Sequence, residues 1–566
     1  MSESMSRPAD ETGPTGPAGG TGGGTGEPDG GTGGAVSQPR GRWWALAALT
    51  LSILVVGLDS YILVTALPTL SAKLGASTSQ LQWISAGYTL ATAGLLLPAG
   101  KLGDRFGRRR ALLAGLVIFG VSSVVASRAD SAGMLIALRI AMGAGGALIM
   151  PMTLALVPVL FPAPAQRQPA VAVTAMGAMV GMPLGPLLAG WLLTHFAWGS
   201  IFLINAPVVA IAAAGVAFLV PASQDPEAGR LDWPGALLAA AGVAALVYGV
   251  IEQPAYGWDA PVLAGLIGGV VLLAGFAVWQ GRARSPLMNL RLFRNRGFTW
   301  GSIAFALNGF ALSGALFVLS PYLQIVQGND AAGTGLRLLP MIGAMLAGAA
   351  VSEKVLSGRL GARTLIPAGM LISAAGLVVL VFVRAGSGYG VVALALAVFG
   401  LGLGVSLPLS VDTVLASLPP GQTGVGNAMS RTLQSIASAL GTAILGSVLN
   451  AAYRGRLAGA LTRLPGPAGP AARASVAGAH AVAARLPAGA GGALARAAGQ
   501  AYAHGMAETA VVSAIVLVVA TGAVHWLLPR AARQGMTRPE DQPAPTMVEV
   551  TQDSTTRRSR LNGRLP

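Results

Sequence analysis

The stretch GKLGDRFGRRR at residues 100–110 decides how the rest of the chain is interpreted. It places one acidic and five basic residues within eleven positions, and apolar sequence lies on both sides of it. Charge at that density is costly inside hydrocarbon, where one charged side chain near the centre costs about 2.5–3.5 kcal/mol on insertion scales. The block therefore predicts a turn at a membrane surface, between two helices that cross the membrane.

The composition of the chain also predicts a membrane protein. Of its 566 residues, 53% are hydrophobic and only 10% are charged, whereas soluble domains carry about 25% charged residues. Apolar runs of about 20 residues, each long enough to cross about 30 Å of hydrocarbon, recur along the chain. They predict an all-α integral membrane protein with fourteen transmembrane helices. The predicted segments are residues 43–70, 81–100, 111–127, 134–158, 170–193, 200–220, 233–252, 261–280, 298–322, 336–354, 364–383, 390–415, 424–450 and 508–528.

Fourteen helices with both chain ends on one side predict two six-helix bundles with two inserted helices between them, a known arrangement of transporters. The Gly/Thr/Pro-rich tail and the polar C-terminal tail are expected to be disordered. The predicted divisions are a disordered tail at 1–40, an N-terminal bundle at 41–222, two inserted helices at 223–281, a cytoplasmic basic linker at 282–297, a C-terminal bundle at 298–528 with a long loop at 453–507, and a disordered cytoplasmic tail at 529–566.

The distribution of positive charge predicts the orientation of the chain. The net charge is +16, and most lysines and arginines fall in loops on one side of the predicted helices. Because cytoplasmic loops carry the excess of Lys and Arg, we expect both termini in the cytoplasm. The arginine-containing loop 453–507 falls on the other side, but long loops follow the rule weakly. Its Ala/Gly/Pro composition predicts a partly helical or a disordered excursion. Cations dispersed in this way do not predict nucleic acid as a partner.

Several classes of function lack their characteristic residues. The chain has no cysteine and only four scattered histidines, so neither a disulfide nor a metal site is expected. The stretch GLLLPAGKL at 94–102 superficially resembles a phosphate-binding loop. However, five residues separate its glycines, and Leu102 replaces the hydroxyl residue of that motif. We therefore expect no cofactor and no enzymatic activity, and transport driven by an ion gradient.

The block at 100–110 has two interpretations. Its glycines allow tight turning and close helix approach. Its aspartate lies among arginines, so ion pairs could hold two helix ends in one of two arrangements. The alternative is a basic loop that only fixes topology. The predicted gating residues are Gly100, Gly103, Asp104, Arg105, Gly107, Arg108 and Arg109.

The pattern G-x-L-x-D-r-x-G-r-r between the second and third helices strongly resembles the signature loop of the major facilitator superfamily. Other stretches look like its fourteen-helix drug:proton antiporter branch. These are GLDSYILVTALPTL (57–70), LRIAMGAGGALIMP (138–151), GAMVGMPLGPLLAGW (177–191), FLINAP (202–207), PLMNLRLFRNRGF (286–298) and NAMSRTLQSIASALGTAILG (427–446). The resemblance covers about residues 43–450 and the last helix. It implies the major facilitator fold and a gating role for the block at 100–110.

Two charged residues within predicted helices are candidates for proton coupling. Asp59 lies midway along the first helix, where an idle acid is not expected. At 1.5 Å per residue, Arg139 lies about 8 Å below the outer end of the fourth helix and Asp59 about 14 Å below that of the first. These depths would let the two communicate, through water for example. The alternative is a static structural pair.

The fifth helix carries small residues at four- to five-residue spacing, which allow close helix packing. Its prolines are expected to bend it. The resemblance implies that this motif marks exporters rather than uptake symporters, although ordinary packing would use the same residues. The residues of this predicted antiporter helix are Gly177, Gly181, Gly185, Pro186 and Gly190.

Two further charged residues fall within the C-terminal bundle. Asp412, near the inner end of the twelfth segment, is either an end residue that reaches the interface or a site for substrate or protons. Arg431 opens the thirteenth segment and matches the branch pattern. The alternative role for it is anchoring to lipid phosphate.

The family resemblance, together with the acids inside the membrane segments, predicts a proton-coupled antiporter that exports amphiphilic drugs or antibiotics across the plasma membrane by alternating access. Its expected partners are the small-molecule substrate, protons and the lipid bilayer, and it is expected to be a monomer. Two alternatives are an inward metabolite symporter and a non-transporting membrane sensor on the same fold. The motif of the fifth helix argues against the first alternative. No soluble signalling domain is visible in the tails to support the second.

Overall fold

The computed structural model of the chain describes residues 41–529, except for 225–231, 284–285, 357–359, 420–422 and 462–467. The predicted tail 1–40 and, except for its first residue, the predicted tail 529–566 lie outside these residues. The described part of the chain is helical, and its α-helices are α1 Arg42–Leu74, α2 Thr78–Phe106, α3 Arg108–Ala126, α4 Ala132–Leu160, α5 Pro164–His195, α6 Ser200–Leu203, α7 Asn205–Leu219, α8 Trp233–Tyr256, α9 Ala260–Arg282, α10 Arg296–Pro321, α11 Ala331–Arg337, α12 Leu339–Leu356, α13 Ala362–Val381, α14 Tyr389–Ala416, α15 Thr423–Leu461, α16 Ala468–Ala474, α17 Val476–Ala483 and α18 Ala488–Leu527. A 3-10 turn at Leu290–Arg294 precedes α10, and a π-helical turn at Tyr322–Val326 follows it.

Short polar residues and glycines set the helix ends. Ser77 and Gln80 form a capping box at the start of α2, which satisfies backbone N–H groups that have no partner within the helix. Gly75 ends α1 with a φ of 63°, in the left-handed region that glycine adopts without strain. We call the end of the bundle where α1 meets α2 the far end. The opposite end, where α2 meets α3 at Gly107, is the motif end.

Twelve helices of the described chain are long and apolar enough to cross a membrane. Helices α2 and α5 are not among them, although they have 29 and 32 residues and fill two of the predicted segments. The multi-pass membrane architecture is confirmed, and the count of fourteen spans stays a prediction.

The helices pack in two groups. In the first, α1 packs on α5 and α7, α2 packs on α4, and α3 packs on α4 and α7. In the second, α10 packs on α15, α12 packs on α14, and α13 packs on α14 and α18. Each group contains six long helical segments, because α6 with α7 and α11 with α12 each form one nearly continuous segment. This is the packing expected of two six-helix bundles.

Helices α8 and α9 lie beside the joint between the two groups. Residues of α2, α8 and α15 form one apolar cluster around Ala86, Val247 and Ala443. Midway along α2, a Cβ built on Gly94 would lie 3.0 Å from the Cβ of Ala240, so α2 and α8 approach closely there. Helix α9 packs mainly on α8. Helix α8 therefore contacts one helix from each group along the same joint.

For the connection at 453–507 the sequence left open a partly helical or a disordered excursion, and its described residues are mostly helical. Helix α15 extends to Leu461, α18 begins at Ala488, and α16 and α17 occupy much of the interval. The segment is rich in alanine, the strongest helix former, and it also buries aromatic anchors. The Tyr453 hydroxyl donates to the carbonyl oxygens of Ala472 and Ser475, at 3.0 and 3.3 Å.

Candidate functional site

The structure brings Asp59 and Arg139 into direct contact inside the first group of helices. Arg139 Nη1 of α4 lies 2.5 Å from Asp59 Oδ2 of α1, and both side chains are buried, with exposures of 1% and 0%. Burying two charges is costly unless they pair and their remaining polar atoms are satisfied. The sequence predicted communication between these residues and left open a path through water. The structure shows an ion pair.

The other contacts of Arg139 come from α2. Its Nε donates to the carbonyl oxygen of Ile84 at 3.3 Å, and its guanidinium carbon lies 4.4 Å from the centre of the Tyr88 ring. A cation over an aromatic face is attracted by the ring, most strongly where water is excluded. Helices α1, α2 and α4 are thus joined at one guanidinium.

A third residue, which sequence reasoning missed, completes this site. Asn205, the first residue of α7, is fully buried, and its Nδ2 donates to Asp59 Oδ1 at 3.1 Å and to Ser123 Oγ at 3.0 Å. Ser123 of α3 in turn donates to the Phe202 carbonyl oxygen at 2.8 Å. The available sequence signal was an amide inside the apolar stretch FLINAP, because a buried amide needs a polar partner.

The gating residues lie at the motif end, where Gly107 joins α2 directly to α3 with a φ of 101°. Asp104 Oδ1 accepts from Arg108 Nε at 2.8 Å across this joint, between half-exposed side chains. Arg109, which was predicted to join the ion pairs around Asp104, instead donates to the Ala217 carbonyl oxygen of α7. Arg105 lies over the Phe106 ring at 5.5 Å from its centre. The block therefore ties α2 and α3 to each other and α3 to α7.

The two other glycines of the block differ in their surroundings. A Cβ on Gly103 would lie well inside contact distance of the Met152 side chain, so α2 and α4 approach closely there. A Cβ on Gly100 would meet nothing within 4 Å. The predicted close approach of helices is therefore observed at Gly103 and not at Gly100.

The predicted antiporter helix is α5, and three of its four predicted glycines lie against the α1 backbone. A Cβ on Gly177, Gly181 or Gly185 would come within 2.6 to 2.8 Å of backbone atoms of α1. A Cβ on Gly190 would lie 2.5 Å from the Cα of Ala332 in α11, which belongs to the second group of helices. Near it, the Pro186 carbonyl oxygen would lie 2.6 Å from a Cβ on Gly335. Helix α5 therefore joins α1 within its group and also contacts the opposite group.

Contacts between the two groups are also made near the far end. Gln82 Nε2 of α2 donates to the carbonyl oxygens of Thr442 and Ala443 in α15, at 3.2 and 2.8 Å, and lies 3.4 Å from Ser447 Oγ. Gln324 Nε2 donates to the Thr65 carbonyl oxygen at 2.6 Å. In this conformation the far-end segments of the two groups are bonded together.

Asp412 and Arg431 lie in the second group. Asp412 is exposed on α14. The Nε of Arg431 in α15 is buried and has no hydrogen-bond partner among the described residues. The contacts of Asp59 and Arg139 do not include either residue. The described chain also contains no group of three His, Cys, Asp or Glu side chains that could hold a metal ion.

Comparisons with known proteins agree with this architecture. The family model of the Major Facilitator Superfamily matches residues 49–442. The chain belongs to the Major Facilitator Superfamily. This confirms the predicted fold, and the prediction of a membrane transporter rather than an enzyme.

Several curated relatives cover most of the chain. "Multidrug efflux pump LfrA" of Mycolicibacterium smegmatis is 34% identical over 483 residues, covering 85% of this chain and 95% of LfrA. "Tetracenomycin C resistance and export protein" of Streptomyces glaucescens is 34% identical over 75% of this chain and 79% of its own. "Puromycin resistance protein pur8" of Streptomyces alboniger is 33% identical over 74% of this chain and 84% of its own.

Among solved structures, a bacterial homolog to the human lysosomal transporter Spinster, in its inward-facing and unoccupied conformation, resembles this chain in fold. The TM-score is 0.61 at 17% identity, and the match covers 86% of this chain and 97% of the other.

Proposed function

We propose that this protein is a proton-coupled antiporter that exports amphiphilic drugs or antibiotics across the plasma membrane. The observation that carries the proposal is the ion pair of Asp59 and Arg139, fully buried within the first group of helices. An ionisable pair at that depth in a membrane protein is typical of proton relays. The names of the relatives, which include a multidrug efflux pump and antibiotic resistance proteins, support drugs or antibiotics as the substrate class and export as the direction of transport.

The proposed topology places the motif end in the cytoplasm. The arginines at 105 and 108–110 lie there, and cytoplasmic loops carry the excess of positive charge. Both termini would then be cytoplasmic. With the far end outside, the bonds of Gln82 and Gln324 close the external side of the protein in this conformation. We further propose fourteen spans divided as the sequence predicts, and a monomer as the working unit.

Protonation of Asp59 is the proposed coupling step. In a conformation of the cycle that exposes Asp59 to water, the carboxylate takes one proton from a hydronium ion, which leaves a neutral carboxylic acid and a water molecule. Arg139 then loses its counter-charge and keeps only the Ile84 carbonyl oxygen and the Tyr88 ring. A buried cation without a partner is unfavourable by several kcal/mol. The protonated protein therefore favours a conformation that supplies Arg139 with water or another acceptor.

The energy available from the membrane is sufficient for such exchange. One charge moving across 100 mV releases about 2.3 kcal/mol. At about 1.4 kcal/mol per tenfold ratio, exchange of one proton for one uncharged substrate molecule would support a concentration ratio of about 50. In the proposed cycle, the ion pair at 104 and 108 and the neighbouring contacts at the motif end open and close with each turnover. We propose that Asp412 and Arg431 contact substrate from the second group of helices.

The test is uptake of puromycin and tetracenomycin C into everted vesicles that carry an imposed proton gradient. Wild type is compared with Asp59→Asn and with the control Asp130→Asn, which changes an exposed acid in the turn between α3 and α4. We expect Asp59→Asn to lower gradient-driven uptake at least tenfold and the control to leave it unchanged. Equal uptake by both variants would remove Asp59 from the coupling site. If neither compound moves in response to the gradient, the drug-export proposal fails for these substrates.

A further inference from the structure

Asn205 occupies a break in the chain that fixes its side chain against Asp59. Helix α6 ends at Leu203 and α7 begins at Asn205. Two residues later, Pro207 has no N–H with which to bond the carbonyl oxygen of Leu203, which favours the interruption. The Phe202 carbonyl oxygen at this break accepts from Ser123 Oγ at 2.8 Å. The break therefore joins α3 to the first residue of α7 through Ser123.

The amide of Asn205 is only half satisfied. Its Nδ2 donates to Asp59 Oδ1 and to Ser123 Oγ, whereas its Oδ1 is buried and has no hydrogen-bond partner within the described residues. A buried acceptor without a partner is rare in folded proteins and calls for an explanation. Here the unpaired oxygen belongs to the same amide group that contacts the candidate coupling acid.

The two protonation states of Asp59 need opposite partners. An ionised carboxylate only accepts hydrogen bonds, but a protonated carboxyl also donates one. A side-chain amide offers a donor at nitrogen and an acceptor at oxygen, and a half-turn about its last torsion exchanges them. Ser123 accommodates both settings. Its hydroxyl accepts from the Asn205 nitrogen in the present setting, and it can donate to the Asn205 oxygen by turning its one proton away from the Phe202 carbonyl oxygen.

Among its hydrogen-bond partners on the other described helices, Asp59 has no second amide that could accept a hydrogen bond from the protonated carboxyl as Asn205 could. The charged or titratable side chains that face the carboxyl are Arg139 from α4 and Tyr88 from α2. Arg139 carries donors only, so it cannot accept a proton from a protonated carboxyl. Helix α5 meets this part of α1 through Gly181 and Gly185, which have no side chain to contribute.

We propose that Asn205 is a positioning residue that follows the protonation of Asp59. It gives its N–H to the carboxylate and, after the half-turn, its carbonyl oxygen to the protonated acid, while Ser123 holds the amide in either setting. This inference rests on the proposed function, because it takes Asp59 as the group that gains and loses the proton.

The experiment is infrared difference spectroscopy of the lipid-reconstituted protein as a function of pH, which requires no substrate. The carbonyl band of protonated Asp59 is the band that disappears in Asp59→Asn. Asn205→Leu removes both functions of the amide. Because hydrogen bonds to charged groups are about twice as strong as neutral ones, the ionised form loses more. We expect the pH midpoint of the band to rise by about one unit.

The matched control is Asn308→Leu, which removes a fully buried asparagine from α10, whose Nδ2 donates to the Ala304 carbonyl oxygen at 2.8 Å. It should leave the Asp59 midpoint unchanged. If Asn205→Leu does not fold, Asn205→Ser retains a donor and an acceptor on a shorter side chain, and we expect a midpoint between those of wild type and Asn205→Leu.

An unchanged midpoint in a folded Asn205 variant, or an equal shift in the control, would overturn the inference. These outcomes are distinct from failure of the proposed function. If Asp59→Asn transports normally in everted vesicles, the coupling proposal fails and this inference fails with it. If Asp59→Asn abolishes coupling while Asn205→Leu titrates like wild type, only the role of Asn205 is lost.

Discussion

Substitution of Gly181 by alanine tests the close contact between α1 and α5. A Cβ at this position would lie 2.6 Å from Leu58 N, 2.8 Å from the Gly57 carbonyl carbon and 2.9 Å from the Leu54 carbonyl oxygen. All three atoms belong to the α1 backbone, so no side-chain rotation can relieve the contact. Ordinary van der Waals contact begins at 3.4 Å. Helices α1 and α5 must therefore separate locally by about 0.8 Å.

The expected loss of stability follows from that displacement. Forcing extra methyl groups into a well-packed interior typically costs about 1–3 kcal/mol. One kcal/mol corresponds to about 2–4 °C in the melting temperature for a unit of 150–250 residues, so we expect a decrease of at least about 2 °C. Asp59 lies one residue after Leu58, so the displacement should also disturb its 2.5 Å contact with Arg139 and lower transport.

The assay is thermal unfolding of the purified protein in detergent, followed by intrinsic fluorescence. The control is Gly268→Ala in α9, where a Cβ would meet nothing within 4 Å. Alanine there should be neutral or slightly stabilising, since it favours helix over glycine by up to about 1 kcal/mol. If Gly181→Ala melts at the same temperature as Gly268→Ala, the close contact between α1 and α5 does not limit stability, and the reasoning is refuted.

Three further predictions concern the far end, the motif end and the start of α8. Gln82→Leu removes the hydrogen bonds to the Thr442 and Ala443 carbonyl oxygens, and one hydrogen bond contributes about 1 kcal/mol. The chain has no cysteine, so a single cysteine introduced at the buried position 341 can report opening. We expect maleimide to label that cysteine about fivefold faster in the Gln82→Leu variant. Asp104→Asn should lower transport several-fold in vesicles and change stability by less than about 1 kcal/mol, as expected for an exposed ion pair; unchanged transport would leave the block with a topological role only. Burial raises the pKa of Asp232, but hydrogen bonds from Trp279, the Gly235 backbone and Gln280 outweigh it, so that the pKa falls below its ordinary value of 3.8. This carboxylate therefore stabilises the fold above its unfolded-state pKa and loses that contribution as the pH falls through its folded-state pKa. Asp232→Ala should lower the melting temperature at pH 7, and the difference should shrink below about pH 4; a difference that does not depend on pH would contradict this.

The sequence predicted the fold and the two charged partners of the site because their signals are local. The length of an apolar run identifies a membrane span. A charged residue in the middle of a span is recognisable as functional because its insertion into the bilayer is energetically unfavourable. Counting residues from the helix ends placed Asp59 and Arg139 at similar depths. It could not show that their helices face each other, which depends on how α1 and α4 pack in three dimensions.

Other features had weaker signals or none. The bonds of Gln82 go largely to backbone carbonyls, which every residue type presents, so no residue pattern marks their partners. For residues 453–507 the sequence left a partly helical and a disordered segment both open, because alanine favours helix whereas glycine and proline oppose it. Asn205 was visible within the motif FLINAP, and its role required knowing that Ser123 and Asp59 lie on either side of it.

The position of α8 has a consequence for how lipid-dissolved molecules reach the interior. The two groups of helices meet along two seams, one between α2 and α15 and the other between α5 and α11. Helix α8 covers the first seam, with Trp83 bonded to Glu252 near one end and the Gly94–Ala240 approach at its middle, and α9 adds a second layer outside it. A molecule that diffuses sideways out of the bilayer is therefore blocked along the first seam. Along the second seam it would meet α5 and α11 themselves, which are in contact at Gly190 and Gly335, so the two sides of the joint present different barriers.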